Sequence, residues 1–127
     1  MVDKVLVADD SRTSRLFIIQ SLEMAGLAGS AFLEAVNGHE ALAQILQNPD
    51  LRCLVTDINM PERSGLALIR DLRAQKINPQ MMIMVISSTQ NAVRDGELAA
   101  LGVAAVLQKP IQMPNLMAAV ASLKQGA

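Results

Sequence analysis

Aromatic residues are almost absent from this chain of 127 residues, which has two phenylalanines, Phe17 and Phe32, and neither tryptophan nor tyrosine. Base-stacking platforms and aromatic cages for quaternary ammonium ligands therefore have almost nothing to be built from. An excess of charge of one sign is also absent, since 11 Lys and Arg against 12 Asp and Glu leave a net charge of −1. That balance argues against a basic nucleic-acid surface and against a polybasic membrane patch.

Cysteine and long apolar runs are equally scarce. Cys53 is the only cysteine, so an internal disulfide is excluded, and its apolar surroundings predict a small buried residue rather than a reactive thiol. The longest apolar stretch, residues 98–107, falls far short of the roughly 18–20 residues that a membrane helix needs. With no secretory signal at the N-terminus, we expect a cytoplasmic protein without membrane insertion. Its 51% hydrophobic content suits one domain spanning residues 1–127.

Short apolar runs alternate with longer amphipathic stretches along the chain. The runs are apolar almost throughout, which is typical of strands covered on both faces. They lie at residues 4–8, 31–35, 53–56, 81–86 and 104–107. After each run, apolar residues recur at helical spacing. This spacing is least clear around residues 91–101, where Gly96 stands in the middle of the predicted helix. The alternation predicts an α/β fold, a five-stranded parallel sheet with helices on both faces.

Polar residues mark the starts of the predicted helices. Ser11, Asn37 and Ser64 stand where N-caps are expected, because their side-chain oxygens can accept hydrogen bonds from the free N–H groups of a first turn. Arg12 and Arg15 lie in the first turns of the first helix, and we expect both to be solvated charges.

Charged and hydroxyl residues follow four of the predicted strands, where an open parallel sheet binds its ligands. Asp9 and Asp10 follow the first strand, Asp57 the third, Ser87 the fourth and Lys109 the fifth. Three carboxylates at one edge repel one another and raise at least one pKa unless a cation shares them. Mg²⁺ suits such a site, since it takes one or two carboxylates and leaves room for phosphate oxygens. Asp57 could then act as a nucleophile that forms an acyl phosphate.

Five stretches, in this order, carry a resemblance to a known family. They are VLVADDS at 5–11, AVNGHEAL at 35–42, LVTDINMPERSG at 54–65, VISS at 85–88 and QKP at 108–110. The chain resembles the receiver domain of two-component response regulators and is similar in length and spacing to the single-domain chemotaxis type (CheY-like). The resemblance implies a flavodoxin-like (βα)5 fold with strand order 2-1-3-4-5. It also implies a signalling domain rather than an enzyme, limited to its own phosphorylation and dephosphorylation.

The resemblance also assigns roles to individual residues. Asp57 matches the phospho-acceptor, and Asp9 and Asp10 match the acidic pair that, with Asp57, holds Mg²⁺ or Mn²⁺. Asn59 matches the residue whose backbone carbonyl oxygen completes the metal site. Lys109 matches the lysine that contacts the phosphoryl group.

The switch machinery is implied in the same way. Ser87 matches the hydroxyl residue that turns toward the phosphoryl group on activation, and a cis peptide bond before Pro110 is implied to position Lys109. Further positions tune the reaction or the switch; they are Asn59, Ser88, Thr89 and Val106. Ser88 stands where Ala or Gly is usual. Val106 stands where many members carry an aromatic ring that turns inward, so output here is expected to rest on aliphatic and polar rearrangement.

The leading hypothesis is a phosphoryl-accepting switch. A sensor histidine kinase or phosphotransfer protein would supply the phosphoryl group, and the face formed by the fourth helix, fifth strand and fifth helix would then bind or release an output partner. One alternative is a pseudo-receiver that only binds proteins, although the complete acidic site argues against it. Another is an aspartate-nucleophile phosphatase, whose DxDxT signature would require an acidic residue where Asn59 stands. We expect a monomer or weak dimer that does not bind nucleic acid directly.

Overall fold

The computed structural model describes residues 3–125, along which five strands alternate with five α-helices. The strands are β1 Lys4–Ala8, β2 Ala31–Ala35, β3 Cys53–Asp57, β4 Met82–Ser87 and β5 Ala105–Gln108. The helices are α1 Arg12–Leu22, α2 Gly38–Gln47, α3 Gly65–Ala74, α4 Ala92–Ala100 and α5 Met113–Gln125. No helix within residues 3–125 combines the length and the apolar composition needed to cross a membrane.

The strands form one parallel sheet in the order β2-β1-β3-β4-β5, which confirms the predicted fold class and strand order. Thr56 of β3 pairs with Ala8 of β1, and Asp57 pairs with Ile86 of β4. These registers bring the carboxyl ends of the central strands level with one another. Residues that follow the strands therefore meet at a single edge of the sheet.

The last three strands end one residue later than the apolar runs predict. Asp57, Ser87 and Gln108 are polar, so hydrophobicity alone stops the strands before them. In the structure the backbone pairing continues for one more residue, with Asp57 opposite Ile86 and Ser87 opposite Gln108. As a result, the backbones of Asp57 and Ser87 are held by the sheet itself rather than by a loop.

The sheet separates two layers of buried apolar side chains, because successive residues of a strand point to opposite faces. Leu6, Leu54 and Ile83 point into the layer covered by α2, α3 and α4. Val7 and Cys53 point into the layer covered by α1 and α5. Cys53 is fully buried, as predicted, and burial raises its thiol pKa to about 12. Coverage on both faces fixes the strands, and with them the edge that carries the polar residues.

Side-chain caps start the helices at the predicted positions. Ser11, Asn37 and Ser64 accept hydrogen bonds from the backbone N–H groups three residues further on, at 3.2, 2.8 and 3.1 Å. Each such cap stabilises its helix by about 1 kcal/mol. Helix α4 is continuous despite Gly96, and Asn91 caps it in the same way. The caps of α1 and α3 therefore fix where the chain turns after β1 and before α3, on either side of the acidic edge.

Candidate functional site

Three carboxylates converge at the carboxyl edge of the sheet. Asp9 and Asp10 begin the turn between β1 and α1, and Asp57 is the last residue of β3. One carboxylate oxygen from each residue lies within 4.8 Å of the other two. Asp9 and Asp57 are buried, with 1% and 7% exposure, whereas Asp10 is exposed. The acidic cluster predicted from the strand ends is therefore present, with one carboxylate open to solvent.

Lys109 bridges the two buried carboxylates. Its Nζ lies 3.2 Å from Asp9 Oδ2 and 3.3 Å from Asp57 Oδ2. Its backbone N–H donates to the carbonyl oxygen of Ser87 at 2.8 Å, which ties the start of the β5–α5 loop to the end of β4. The peptide bond between Lys109 and Pro110 is cis, as the resemblance implied.

The ammonium group changes the electrostatics of the cluster. Burial by itself raises the pKa of Asp9, but hydrogen bonds from Ser14, Ser11 N–H and Lys109, together with the Lys109 charge, outweigh it. The pKa of Asp9 therefore lies below its ordinary value of 3.8. Burial lowers the pKa of Lys109, yet the charges and hydrogen bonds of Asp57 and Asp9 raise it above 10.5. The sequence predicts that a metal ion shares the carboxylates, and in the structure the ammonium group of Lys109 already compensates part of their charge.

Ser14 belongs to this site and was missed by sequence reasoning. Its Oγ donates to Asp9 Oδ2 at 2.7 Å and accepts from Lys109 Nζ at 3.4 Å. Ser11 N–H donates to the other oxygen, Asp9 Oδ1, at 2.9 Å. The available signal was the position of Ser14 one turn after the cap Ser11, on the side of α1 that faces back toward the acidic pair. Both oxygens of Asp9 are therefore fixed by donors from the N-cap and the first turn of α1.

Arg15 departs from the prediction of a solvated charge, whereas Arg12 is exposed as expected. The Arg15 side chain is 11% exposed, its Nη1 donates to the carbonyl oxygen of Asp9 at 2.8 Å, and its Nε donates to Glu34 at 2.8 Å. The long stem and forked donors of a guanidinium allow it to join the β1–α1 turn to β2. Arg15 thus supports the backbone that presents Asp9.

The backbone after Asp57 is closely packed. Asn59 N–H donates to Asp57 Oδ1 at 3.3 Å, and Gly65 N–H donates to the carbonyl oxygen of Ile58 at 2.9 Å. A Cβ atom on Gly65 would lie 2.2 Å from the carbonyl oxygen of Asp57. The absence of a side chain at Gly65 therefore lets α3 begin directly against the end of β3. The Asn59 side chain points into solvent.

The β4–α4 loop contains the hydroxyl residues. Ser87 is fully buried and Ser88 is exposed, so the two adjacent serines have different environments. Ser87 Oγ donates to the carbonyl oxygen of Thr89 at 3.0 Å, and Thr89 N–H donates back to Ser87 Oγ at 3.2 Å. Arg94 of α4 also contacts Thr89, a contact the sequence did not predict. Ser87 therefore points into its own loop in this structure.

Val106 lies in β5 beside that loop and is half-buried. It packs against the apolar layer beneath α2, α3 and α4 and borders a surface groove together with Thr89, Gln90 and Gln108. Gln90 Nε2 donates to Gln108 Oε1 at 3.1 Å, which connects the β4–α4 loop to β5. An aliphatic side chain therefore occupies the boundary between the loop and the last strand.

The donor set fits a hard divalent cation. Carboxylate and carbonyl oxygens are the ligands that Mg²⁺ and Mn²⁺ prefer, and no thiol or imidazole takes part in the acidic cluster of the described residues. The exposed carboxylate of Asp10 leaves the cluster open on one side. A carboxylate nucleophile, a fixed ammonium group and an oxygen-only cation site are together suited to phosphoryl transfer.

Comparison with known proteins agrees with this chemistry. Residues 5–121 match the family described as the response regulator receiver domain. The chain is 32% identical over 114 residues to the response regulator receiver protein CpdR of Brucella abortus, which is 90% of each protein. It is 40% identical over 85 residues to the chemotaxis protein CheY homolog of Campylobacter jejuni, which is 67% of this chain and 64% of that protein. The match therefore spans less than two thirds of the length of the Campylobacter relative.

Solved structures show the same likeness. A response regulator receiver protein from Pseudomonas putida superposes with a TM-score of 0.83 at 28% identity, covering 96% of this chain and 98% of that one. The chemotaxis response regulator CheY4 of Vibrio cholerae superposes with a TM-score of 0.80 at 26% identity, covering 97% and 99%. The likeness therefore covers the sheet and both helical layers.

Proposed function

Because the chain belongs to the response regulator receiver domain family, whose members are phosphorelay signalling domains, we propose that Asp57 is the residue that accepts the phosphoryl group. Residues 1–127 would form a single receiver domain that acts as a switch rather than as an enzyme on other substrates. The observation that carries the proposal is the position of Lys109 Nζ, 3.3 Å from Asp57 Oδ2 and 3.2 Å from Asp9 Oδ2. An ammonium group fixed there can stabilise the oxygens of an incoming phosphoryl group.

The proposed reaction is a nucleophilic substitution at phosphorus. A carboxylate oxygen of Asp57 forms the new P–O bond while the P–N bond of a donor phosphohistidine breaks. The donor imidazole keeps the electron pair of that bond. The hydrogen bond from Asn59 N–H to Asp57 Oδ1 and the contact of Oδ2 with Lys109 orient the carboxylate before the reaction. Positioning and charge stabilisation supply most of the catalysis in phosphoryl transfer.

Four groups would hold Mg²⁺ or Mn²⁺ in this proposal: the carboxylates of Asp9, Asp10 and Asp57, and the backbone carbonyl oxygen of Asn59. The bound cation would neutralise phosphoryl oxygens during transfer. Ser14 and Ser11 N–H hold the carboxylate of Asp9 in place. The carboxylate of Asp9, in the β1–α1 turn, is therefore oriented before any cation binds.

The switch follows from the charge that phosphorylation adds. The phosphoryl group itself carries about −1.5 to −2 charges and accepts hydrogen bonds strongly. In the proposal Lys109 donates to one of its oxygens, and Ser87 turns away from Thr89 to donate to another. Ser88, Thr89 and Asn59 would tune the rates. Movement of the β4–α4 loop then alters the face formed by α4, β5 and α5.

The readout on that face would be aliphatic and polar. Val106 has no ring that could turn inward, so we propose that it follows the loop by a small shift in packing. The hydrogen bond between Gln90 and Gln108 is the polar connection that would carry loop movement to β5. The α4–β5–α5 face would then bind or release an output protein.

Receiver domains of the CheY type interact with histidine kinases and with output partners. For this chain we propose a sensor histidine kinase or phosphotransfer protein as donor, in the cytoplasm, and an output protein that docks on the α4–β5–α5 face. The protein would act as a monomer or weak dimer and would not bind nucleic acid directly, which agrees with its net charge of −1.

The first test is phosphorylation by a small phosphodonor with and without Mg²⁺, followed by intact-mass measurement. We expect the wild type to gain one phosphoryl group in Mg²⁺ and Asp57→Asn to gain none. Asp50→Asn is the matched control, since Asp50 is exposed and pairs with Lys4 at the start of β1, at the opposite edge of the sheet. Absence of the mass gain in the wild type, or an equal gain in Asp57→Asn, would contradict the proposal.

A further inference from the structure

A chain of hydrogen bonds connects α4 to the buried hydroxyl of Ser87. Ser87 Oγ donates to the carbonyl oxygen of Thr89 at 3.0 Å and accepts from Thr89 N–H at 3.2 Å. Arg94 Nη2 donates to the same carbonyl oxygen at 2.9 Å, and Arg94 Nη1 donates to Thr89 Oγ1 at 3.2 Å. Thr89 therefore stands between Ser87 and the guanidinium and is bonded to both.

The guanidinium is itself firmly held. Arg94 Nη2 and Nε donate to Asp95 Oδ1 at 3.1 and 3.2 Å, and the Arg94 side chain is only 11% exposed. The backbone N–H of Arg94 is bonded to the cap residue Asn91. Because these contacts already restrict the rotamers of the Arg94 side chain, the contact of its guanidinium with Thr89 costs little additional conformational entropy.

Two features of Ser87 oppose its movement. A serine hydroxyl has one proton, so while Ser87 donates to Thr89 it cannot donate to a phosphoryl oxygen. When Ser87 turns, Thr89 N–H also loses its acceptor, so the loop must shift for that N–H to find another partner. Arg94, bonded to two atoms of Thr89, resists the shift.

We propose that Arg94 is a positioning residue that holds Thr89, and through it Ser87, in the resting arrangement. Arg94 thereby determines how much of the free energy of the phosphoryl-group contacts is needed to release the β4–α4 loop. The proposal rests on the proposed function, because it assumes that Ser87 turns toward a phosphoryl group on Asp57. It adds a residue on α4 that neither contacts the phosphoryl group nor lies in the acidic cluster.

The test compares Arg94→Lys with Arg73→Lys. Both wild-type arginines donate to backbone carbonyl oxygens at the ends of α4: Arg94 to Thr89 before the helix, and Arg73 to Leu101 after it, at 2.7 Å. Lysine keeps the positive charge and loses the two-pronged contact. Comparison of the two variants therefore distinguishes loss of the specific contact between Arg94 and Thr89 from a change in net charge or a general loosening of α4.

Two measurements are made on each protein. The first is the rate of phosphorylation by a small phosphodonor at saturating Mg²⁺, followed by intact mass. The second is the chemical shift of the Thr89 amide in the unphosphorylated protein. This shift is compared with the two wild-type values, one from the unphosphorylated and one from the phosphorylated protein. For Arg94→Lys we expect a resonance displaced toward the phosphorylated position and a rate higher by about tenfold, since the competent arrangement becomes more populated. Arg73→Lys should match the wild type in both.

The outcomes separate the two proposals. If wild type and Arg73→Lys are phosphorylated and Arg94→Lys matches them in rate and resonance, Arg94 has no positioning role. A slower Arg94→Lys also refutes the inference, because it would mean that Arg94 helps Ser87 to leave by keeping the Thr89 carbonyl oxygen bonded. Failure of the wild type itself to gain a phosphoryl group refutes the proposed function, and the role of Arg94 with it.

Discussion

Substitution of alanine for glycine should have opposite effects at two helical positions of this domain. At Gly65 a Cβ atom would lie 2.2 Å from the carbonyl oxygen of Asp57, 3.1 Å from its carbonyl carbon and 3.2 Å from Ile58 Cα. All three are backbone atoms, so no side chain can move aside. At Gly96, within α4, no atom outside the helix lies within 4 Å of the corresponding position.

The expected magnitudes follow from these surroundings. Relieving the contact at Gly65 requires α3 and the end of β3 to separate by close to 1 Å, and overpacking of this kind costs about 3 kcal/mol. Gly96→Ala adds no contact and removes the helix penalty of glycine, so we expect a gain of about 1 kcal/mol. The two variants should therefore differ by about 4 kcal/mol in the free energy of unfolding.

Urea unfolding followed by circular dichroism measures this difference, with the slope against urea compared between variants to confirm a common two-state transition. Gly65→Ala should also be phosphorylated more slowly, because the backbone that it displaces is that of Asp57. A change of stability in the same direction for both substitutions, or a Gly65→Ala variant as stable as the wild type, would contradict this prediction.

Two further predictions concern the serines and pH. Ser87→Ala should abolish most NMR shift changes that phosphorylation produces in α4 and β5, whereas Ser88→Ala, at the exposed neighbour, should preserve them; the reverse result would assign the switch to Ser88. Because the pKa of Asp9 is lowered on folding, its ionised form stabilises the metal-free protein above pH 3.8, and this contribution is lost as the pH falls through the lower pKa of the folded state. The stability of the wild type relative to Asp9→Asn, from urea unfolding in a chelator, should therefore decrease below pH 3.8; a constant difference would contradict it.

The parts of this molecule that could be predicted from sequence depend on short-range patterns. The apolar runs located the strands, and the rule that ligands bind at the carboxyl ends of parallel strands brought Asp9, Asp57 and Lys109 together. The predicted ends of β3 and β4 lay one residue before the observed ends, Asp57 and Ser87, because backbone pairing does not depend on side-chain polarity.

The residues that sequence reasoning missed act through tertiary contacts. Ser14, Arg15 and Arg94 all lie on helices, where a polar residue near the first turn is ordinarily solvated. Their partners are backbone carbonyl groups and a carboxylate in neighbouring loops. For Ser14 the spacing from the cap Ser11 was a usable signal. For Arg15 and Arg94, only the packing of α1 and α4 against the sheet edge decides that the side chains turn inward, and no spacing in the sequence encodes that choice.

The positive charge of Lys109 also affects the net charge of the site, both before and after the proposed phosphorylation. Three carboxylates and one ammonium leave an excess of two negative charges, which a bound divalent cation would cancel. In the proposed function, phosphorylation of Asp57 would replace a carboxylate with a phosphoryl group and so would add at most about one further negative charge. Because the site would then stay close to neutrality with a cation bound, the long-range field of the protein would change little on activation. A partner would therefore have to recognise the altered shape and hydrogen-bonding groups of the surface at contact distance, rather than a change in charge sensed during approach.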